Sequence, residues 1–336
     1  MNAMTTGMIF GVLGPVVARL PQGDPVALGE PRQRAVMATL LVHTGHTVAW
    51  RNMVGLVWGD VVPPSSRKAL QVYVSRIRRA ITQIPASGIV TQRDGYRLIC
   101  PSDSIDLQVF RRLVHESRQT TIDRVRHDLL SDALSLWRGA PFADASAEGL
   151  HDRVAPLLVE EHLAALEEFY ATRIRMGGHV SVVEPLSTAV AEHPTRERLA
   201  ELLMTAMHLS GRHVDAVRVY QRLRSALQQE MGVQPDFALS ALHQIIVDQD
   251  RTSVQWASLT ANALIERGRI HLEKGDQDWA LAALYAARAT ARDSNDHSSL
   301  QIATQILLGL VAAPERRGIV STGALLAGPN CARRTA

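Results

Sequence analysis

Between Arg67 and Arg79 the sequence sets cationic and amide side chains at spacings suited to holding a nucleic acid. Arg67, Gln71, Ser75 and Arg78 follow one another at intervals of three and four residues, so on a helix they share a line, flanked by Lys68, Arg76 and Arg79. A guanidinium can bond guanine at two atoms, a carboxamide can do the same for adenine, and a serine is short enough to allow close approach. The remaining cations suit phosphates. Farther along, Arg93, Tyr96 and Arg97 place charged and planar groups around Asp94-Gly95. The bland reading of such a helix is a solvated basic face over an apolar back, and the helix alone does not decide against it.

Residues for bond-making chemistry are missing from the recognisable patterns. The sequence holds no GxxxxGK[ST] phosphate loop, HExxH, GxSxG or dinucleotide fingerprint, and its 13 histidines show no metal-ligand spacing. Neither catalytic residues, cofactor nor metal is therefore expected. Glu160-Glu161-His162 and Glu167-Glu168 resemble an acid–base cluster, but along one long helix they read as a charged outer face. Cys100 and Cys331 form neither a CxxC pair nor a disulfide framework, and Cys100 reads as a lone buried thiol.

The elements that must position the basic line are legible in order. Met8–Arg19 and Val26–Leu28 are short β-prone pieces broken by Gly14-Pro15 and the Pro21–Pro25 stretch, as in a small hairpin. Pro31 suits the first turn of a helix running to Gly45, and a second helix is expected over Arg51–Trp58. The basic helix follows from Pro63 to Ile81, with Ser65 or Ser66 as its expected cap and Leu70, Tyr73, Val74, Ile77 and Ile81 as its apolar stripe. Gly88–Cys100 then reads as a hairpin turning at Asp94-Gly95. Helix, helix, basic helix and hairpin make a winged helix-turn-helix, with the third helix in the major groove and the wing on the backbone or minor groove.

From Asp106 the pattern becomes long helices, expected at Leu107–Ser117, Val125–Trp137, Pro156–Met176, Val180–Glu192, Arg196–Leu209 and His213–Glu230. Gly177-Gly178-His179-Val180 recurs 34 residues later as Gly211-Arg212-His213-Val214, the tetratricopeptide period, with Ala216 and Tyr220 expected inside the array. Gly275-Asp276 echoes the same start, but 64 residues after Gly211, four short of two periods. Ser253–Val311 is read as further helices of this kind.

Composition agrees with a mainly α chain: 46% hydrophobic residues with only 4% aromatics among 336. The formal charge of +3 is unevenly placed, because the first hundred residues carry 11 Lys or Arg against 4 Asp or Glu. A basic head on a mildly acidic body suits one domain that meets a polyanion. Without a long apolar run or a basic leader, a cytoplasmic protein is expected.

The phrases GEPRQRAVMATLL, LVWGD (Leu56–Asp60), LQVYVSRIRRAI and DGYRL resemble the DNA-binding domain of the Streptomyces antibiotic regulatory protein (SARP) family, whose winged helix is similar to that of OmpR-type regulators. LWRGAPFAD (Leu136–Asp144) and GVQPD (Gly232–Asp236) resemble that family's second half, the bacterial transcriptional activation domain. The chain departs from the family at Arg51, where an acidic helix cap is usual, and at Gly55 inside the same helix. The expected domains are a winged helix-turn-helix (1–104), an activation domain of tetratricopeptide-like helices (105–250), a helical-repeat extension (251–313) and a flexible tail (314–336). The resemblance implies a transcriptional activator binding direct repeats of double-stranded DNA as side-by-side monomers or dimers. It also implies contact with RNA polymerase through the σ factor, the α C-terminal domain and the β flap, in control of antibiotic biosynthesis. Arg67, Lys68, Gln71 and Ser75 would read bases, and Arg76, Arg78, Arg79, Arg93 and Tyr96 would grip the backbone, a division the sequence leaves open. The rivals are a helical-repeat protein adaptor and a metabolite-sensing regulator.

Overall fold

Apolar residues between Pro31 and Val42 recur too densely for a single helix face, and in the computed structural model this segment is the centre around which the N-terminal part folds. The structure describes residues 8–248, 253–293 and 296–311, so Cys331 and the expected tail lie outside the described residues. It divides into two compact units, one ending at Thr172 and one beginning at Arg173.

In the first unit, β1 (Phe10–Gly11) and β2 (Val17–Ala18) form a short antiparallel pair. Helix α1 (Pro31–Val42) carries its proline in the first turn, and Ala35, Val36, Met37, Ala38, Leu40 and Leu41 are fully buried. A three-stranded antiparallel sheet follows in the order β3 (Val48–Ala49), β5 (Gly95–Ile99), β4 (Gly88–Gln92). Helices α2 (Trp50–Trp58) and α3 (Ser66–Ile81) lie between β3 and β4 in the chain. The mainly α winged helix-turn-helix anticipated from sequence is thus present.

Four more helices begin in this unit: α4 (Asp106–Gln119), α5 (Asp123–Ser135), α6 (Glu148–Arg153) and α7 (Ala155–Arg175). Helix α5 ends before Trp137 rather than including it, because the next residues have another task. Arg138 donates its backbone N–H to Leu13 O at 2.8 Å and its guanidinium to Asp106 at 2.9 Å. Buried Asp106 also accepts the backbone N–H groups of Val12 (2.9 Å) and Leu13 (3.1 Å). Asp144 accepts Val16 N–H at 2.7 Å and pairs with Arg34 at 2.9 Å. The LWRGAPFAD phrase is therefore the joint between the N-terminal hairpin and the helices beyond it. Burial pushes the Asp106 carboxyl up from its ordinary value, and the Val12 and Leu13 N–H groups and Arg138 oppose that shift.

Helix α6 escaped the sequence reading because it is one short turn-rich piece without a usable period. It lies against α2 so closely that a Cβ on Gly149 would overlap Gly55 O and Leu56. Arg32 to Glu148 (2.8 Å) and Arg153 to Asp60 (3.0 Å) flank the contact. Of the expected charged outer face of α7, Glu160 is exposed, but Glu161 pairs with Arg111 of α4 at 2.7 Å and Glu168 with Arg118 at 2.9 Å in partly exposed ion pairs, Glu167 is buried, and His162 lies 4.3 Å from the Trp137 ring.

The second unit stacks α8 (His179–Glu192), α9 (Glu197–Leu209), α10 (His213–Glu230) and α11 (Phe237–Asp248), then α12 (Ser253–Glu273), α13 (Gln277–Asp293) and α14 (His297–Val311). Three turns share one hydrogen-bond pattern: Gly178 N–H to Arg173 O, Arg212 N–H to Met207 O and Asp276 N–H to His271 O. The preceding glycines, Gly177, Gly211 and Gly275, have φ of 82°, 73° and 77°, the left-handed closure of a helix end that favours glycine. Five residues after each comes a buried side chain, Val182, Ala216 and Ala280. The 64-residue spacing thus conceals an equivalent turn, with α11 occupying the interval. Tyr220 is buried as expected and stacks on His243 at 4.0 Å.

Candidate nucleic-acid interface

Helix α3 forms because its apolar residues fall on one stripe, and Leu70, Val74, Ile77 and Ile81 are buried to 1% exposure or less. Each such burial contributes roughly 1.5–3 kcal/mol, enough to hold the helix on the core with the rest of its surface outward. Tyr73 is half-buried and stacks on Trp58 at 6.4 Å. Ser65 stands at the N-cap, but its hydroxyl makes no capping bond, so that expectation is not met. Basic Arg78 and Arg79 lie in the last turn, where they complement the helix dipole.

The outward side carries Arg67, Lys68, Gln71, Ser75, Arg76 and Arg79, all exposed. Arg67 lies over the Trp50 ring at 4.9 Å, with Arg51 over the same ring at 5.4 Å. Arg76 approaches Glu30 at 3.5 Å in an exposed pair that water and salt screen. Arg78 differs from its neighbours: its Nε donates to Ile89 O at 2.9 Å, its guanidinium to Thr91 Oγ1 at 2.6 Å, and it lies 5.9 Å over the Tyr96 ring. Arg78 and Tyr96 therefore join α3 to the wing, while the other cations project.

The wing turns at Arg93 and Asp94, since Gln92 pairs with Gly95. Gly95 lies within β5, and its φ is not in the left-handed region. Glycine is needed there for room: a Cβ would overlap Val48 O on β3. Trp50 N–H donates to Asp94 O at 2.8 Å, tethering the wing turn to the start of α2. Arg93 is exposed at the turn.

Val72 was overlooked by sequence reasoning. It is 47% exposed on the outward side of α3, and its position off the apolar stripe was the available signal. A branched methyl pair there can meet a thymine methyl. Cys100, after β5, is partly buried, and that burial pushes its thiol up to about 11, so the protonated form holds at neutral pH. From residue 61 to 100 the chain carries seven Lys or Arg against a single acidic residue, Asp94. Among the described residues no cluster could hold a metal ion, and no helix is long and apolar enough to cross a membrane.

Comparison with known proteins gives two family matches in tandem. Residues 23–98 match the model of "Transcriptional regulatory protein, C terminal", and residues 105–247 match "Bacterial transcriptional activator domain". Transcriptional regulator RedD of Streptomyces coelicolor is 34% identical over 72% of this chain and 71% of its own length. Regulatory protein AfsR of the same organism is 33% identical over 75% of this chain, which spans only 25% of that longer relative. A solved structure of Mycobacterium tuberculosis EmbR in complex with a low-affinity phosphopeptide superposes with a TM-score of 0.63 at 27% identity, covering 78% of this chain and 72% of that one.

Proposed function

This chain belongs to the Streptomyces antibiotic regulatory protein family of transcriptional regulators, and from that premise we propose that it is a DNA-binding activator that recruits RNA polymerase to promoters of an antibiotic pathway. The observation that carries the proposal is the exposed basic and amide face of α3 with a cationic wing turn tethered beside it. Arg67, Lys68, Gln71 and Ser75 enter the major groove, where Gln71 has the geometry to bond adenine and Arg67 or Lys68 guanine. Arg76, Arg79 and Arg93 hold phosphates, and Arg78 with Tyr96 sets the wing at a fixed distance from the helix. Monomers bind direct repeats side by side, which requires a head-to-tail contact rather than a two-fold one. The bound protein then meets the σ factor, α C-terminal domain and β flap in the cytoplasm.

Footprinting of the purified chain on DNA upstream of its own and neighbouring genes, without and then with RNA polymerase, tests this reading. A protected tandem repeat that lengthens cooperatively when polymerase is added is the expected result. Weak protection indifferent to sequence and salt would refute it in favour of a protein adaptor.

A further inference from the structure

The second unit contains an open trough of about 380 Å³ walled by α8, α9 and α10. Its floor is apolar and buried: Leu203 and Met207 from α9, Val219 and Leu223 from α10. Val190 and Pro194 continue that surface up the opposite wall. Along the α10 rim stand Arg212, Arg218 and Arg222, all exposed, with Asp215 the one carboxylate lining the trough. Asp215 is shared, accepting from Arg212 at 3.0 Å and from Arg218 at 3.3 Å, so it holds both guanidinium groups in place while neutralising only one. Arg222 makes no ion pair among the described residues.

Two occupants fit poorly. A nucleic-acid backbone presents charge everywhere and would leave the apolar floor uncovered. A small molecule gains affinity by having most of its surface enclosed, and this trough is open along its rim. A peptide helix with an apolar stripe satisfies the floor, its acidic flank satisfies the arginines, and Met207 offers an unbranched side chain that adapts to the anchor residues. We propose that the α8–α10 trough docks an amphipathic helix of a partner protein whose apolar face is flanked by Asp and Glu. The inference rests on this unit alone and does not depend on the DNA-binding reading.

The probe is a fluorescein-labelled synthetic helix with Leu at i, i+3, i+4 and i+7 and Glu elsewhere, compared by anisotropy with the same peptide carrying Lys in place of Glu. The full chain is expected to bind the acidic peptide about tenfold or more tightly than the basic one, with affinity falling as salt rises. The double variant R218E/R222E should reverse that preference, an outcome that unfolding cannot produce. Val190→Trp, which fills the trough from its partly exposed wall, should abolish binding of both peptides while leaving the helical circular-dichroism signal and its melting temperature unchanged. Equal binding of the two peptides, an unchanged preference in the double variant, or displacement of the peptide by decanoate alone would each overturn the proposal.

Discussion

Gln71 and Arg79 stand two turns apart on one exposed helix face, yet their chemistries predict different failures. A carboxamide that bonds adenine at two atoms discriminates between bases, so Gln71→Ala should weaken binding to the specific site by about 1–3 kcal/mol and relax preference at that position. Competition binding against a site library checks this, and an equal loss on random DNA would remove Gln71 from base reading. A guanidinium on phosphate is blind to sequence. Arg79→Ala should therefore weaken all DNA alike and reduce the slope of log K against log salt by about 1. The exposure of both residues was legible from spacing alone, whereas the tie of Arg78 to the wing was not. Its position on the same line gave no hint that Ile89 and Thr91 of the wing would claim its guanidinium.

Helices α2 and α6 meet beside two glycines with unequal room for a Cβ. Gly55, inside α2, reads as a weakness of that helix, and a Cβ there would meet only the Arg153 guanidinium at 3.9 Å. Gly55→Ala should be neutral or stabilising by up to about 1 kcal/mol through helix propensity. Gly149→Ala should destabilise instead, because its methyl would overlap the α2 backbone, which no side-chain rotation relieves. Paired urea titrations settle the contrast, and equal effects would mean that α6 does not lie against α2 as described. The end of α9 carries His208. Burial, with the His213 charge nearby, pushes His208 down to about 4. Its neutral form is favoured by folding, so its stabilising contribution is complete above its ordinary value of 6.5 and is lost as pH falls from there towards 4. His208→Gln should flatten the pH dependence of the melting temperature in that window, and an unchanged slope would exclude this histidine.

Within the first unit, Asp106 joins segments far apart in the chain. Asp106→Ala should cost about 2–4 kcal/mol, because the Val12 and Leu13 N–H groups would be left unpaired in an apolar setting. Loss of the winged-helix and α4–α7 signals at one shared urea midpoint is the expected result. Two separate midpoints would show that the joint does not couple them. Periodicity, turn chemistry and charge placement determined the winged helix, the basic face, the helical array and its recurring glycine turn, since each depends on neighbours within a few residues and is written in local order. Other features depend on pairs brought together over 94 residues, as Val12 and Asp106 are, or 116, as Arg32 and Glu148 are. The purpose of LWRGAPFAD, the close seat of α6, the room that Gly95 makes for β3 and the arginine-rimmed trough all belong to that class. Their partners are chosen by packing, and no local pattern records which distant backbone will arrive.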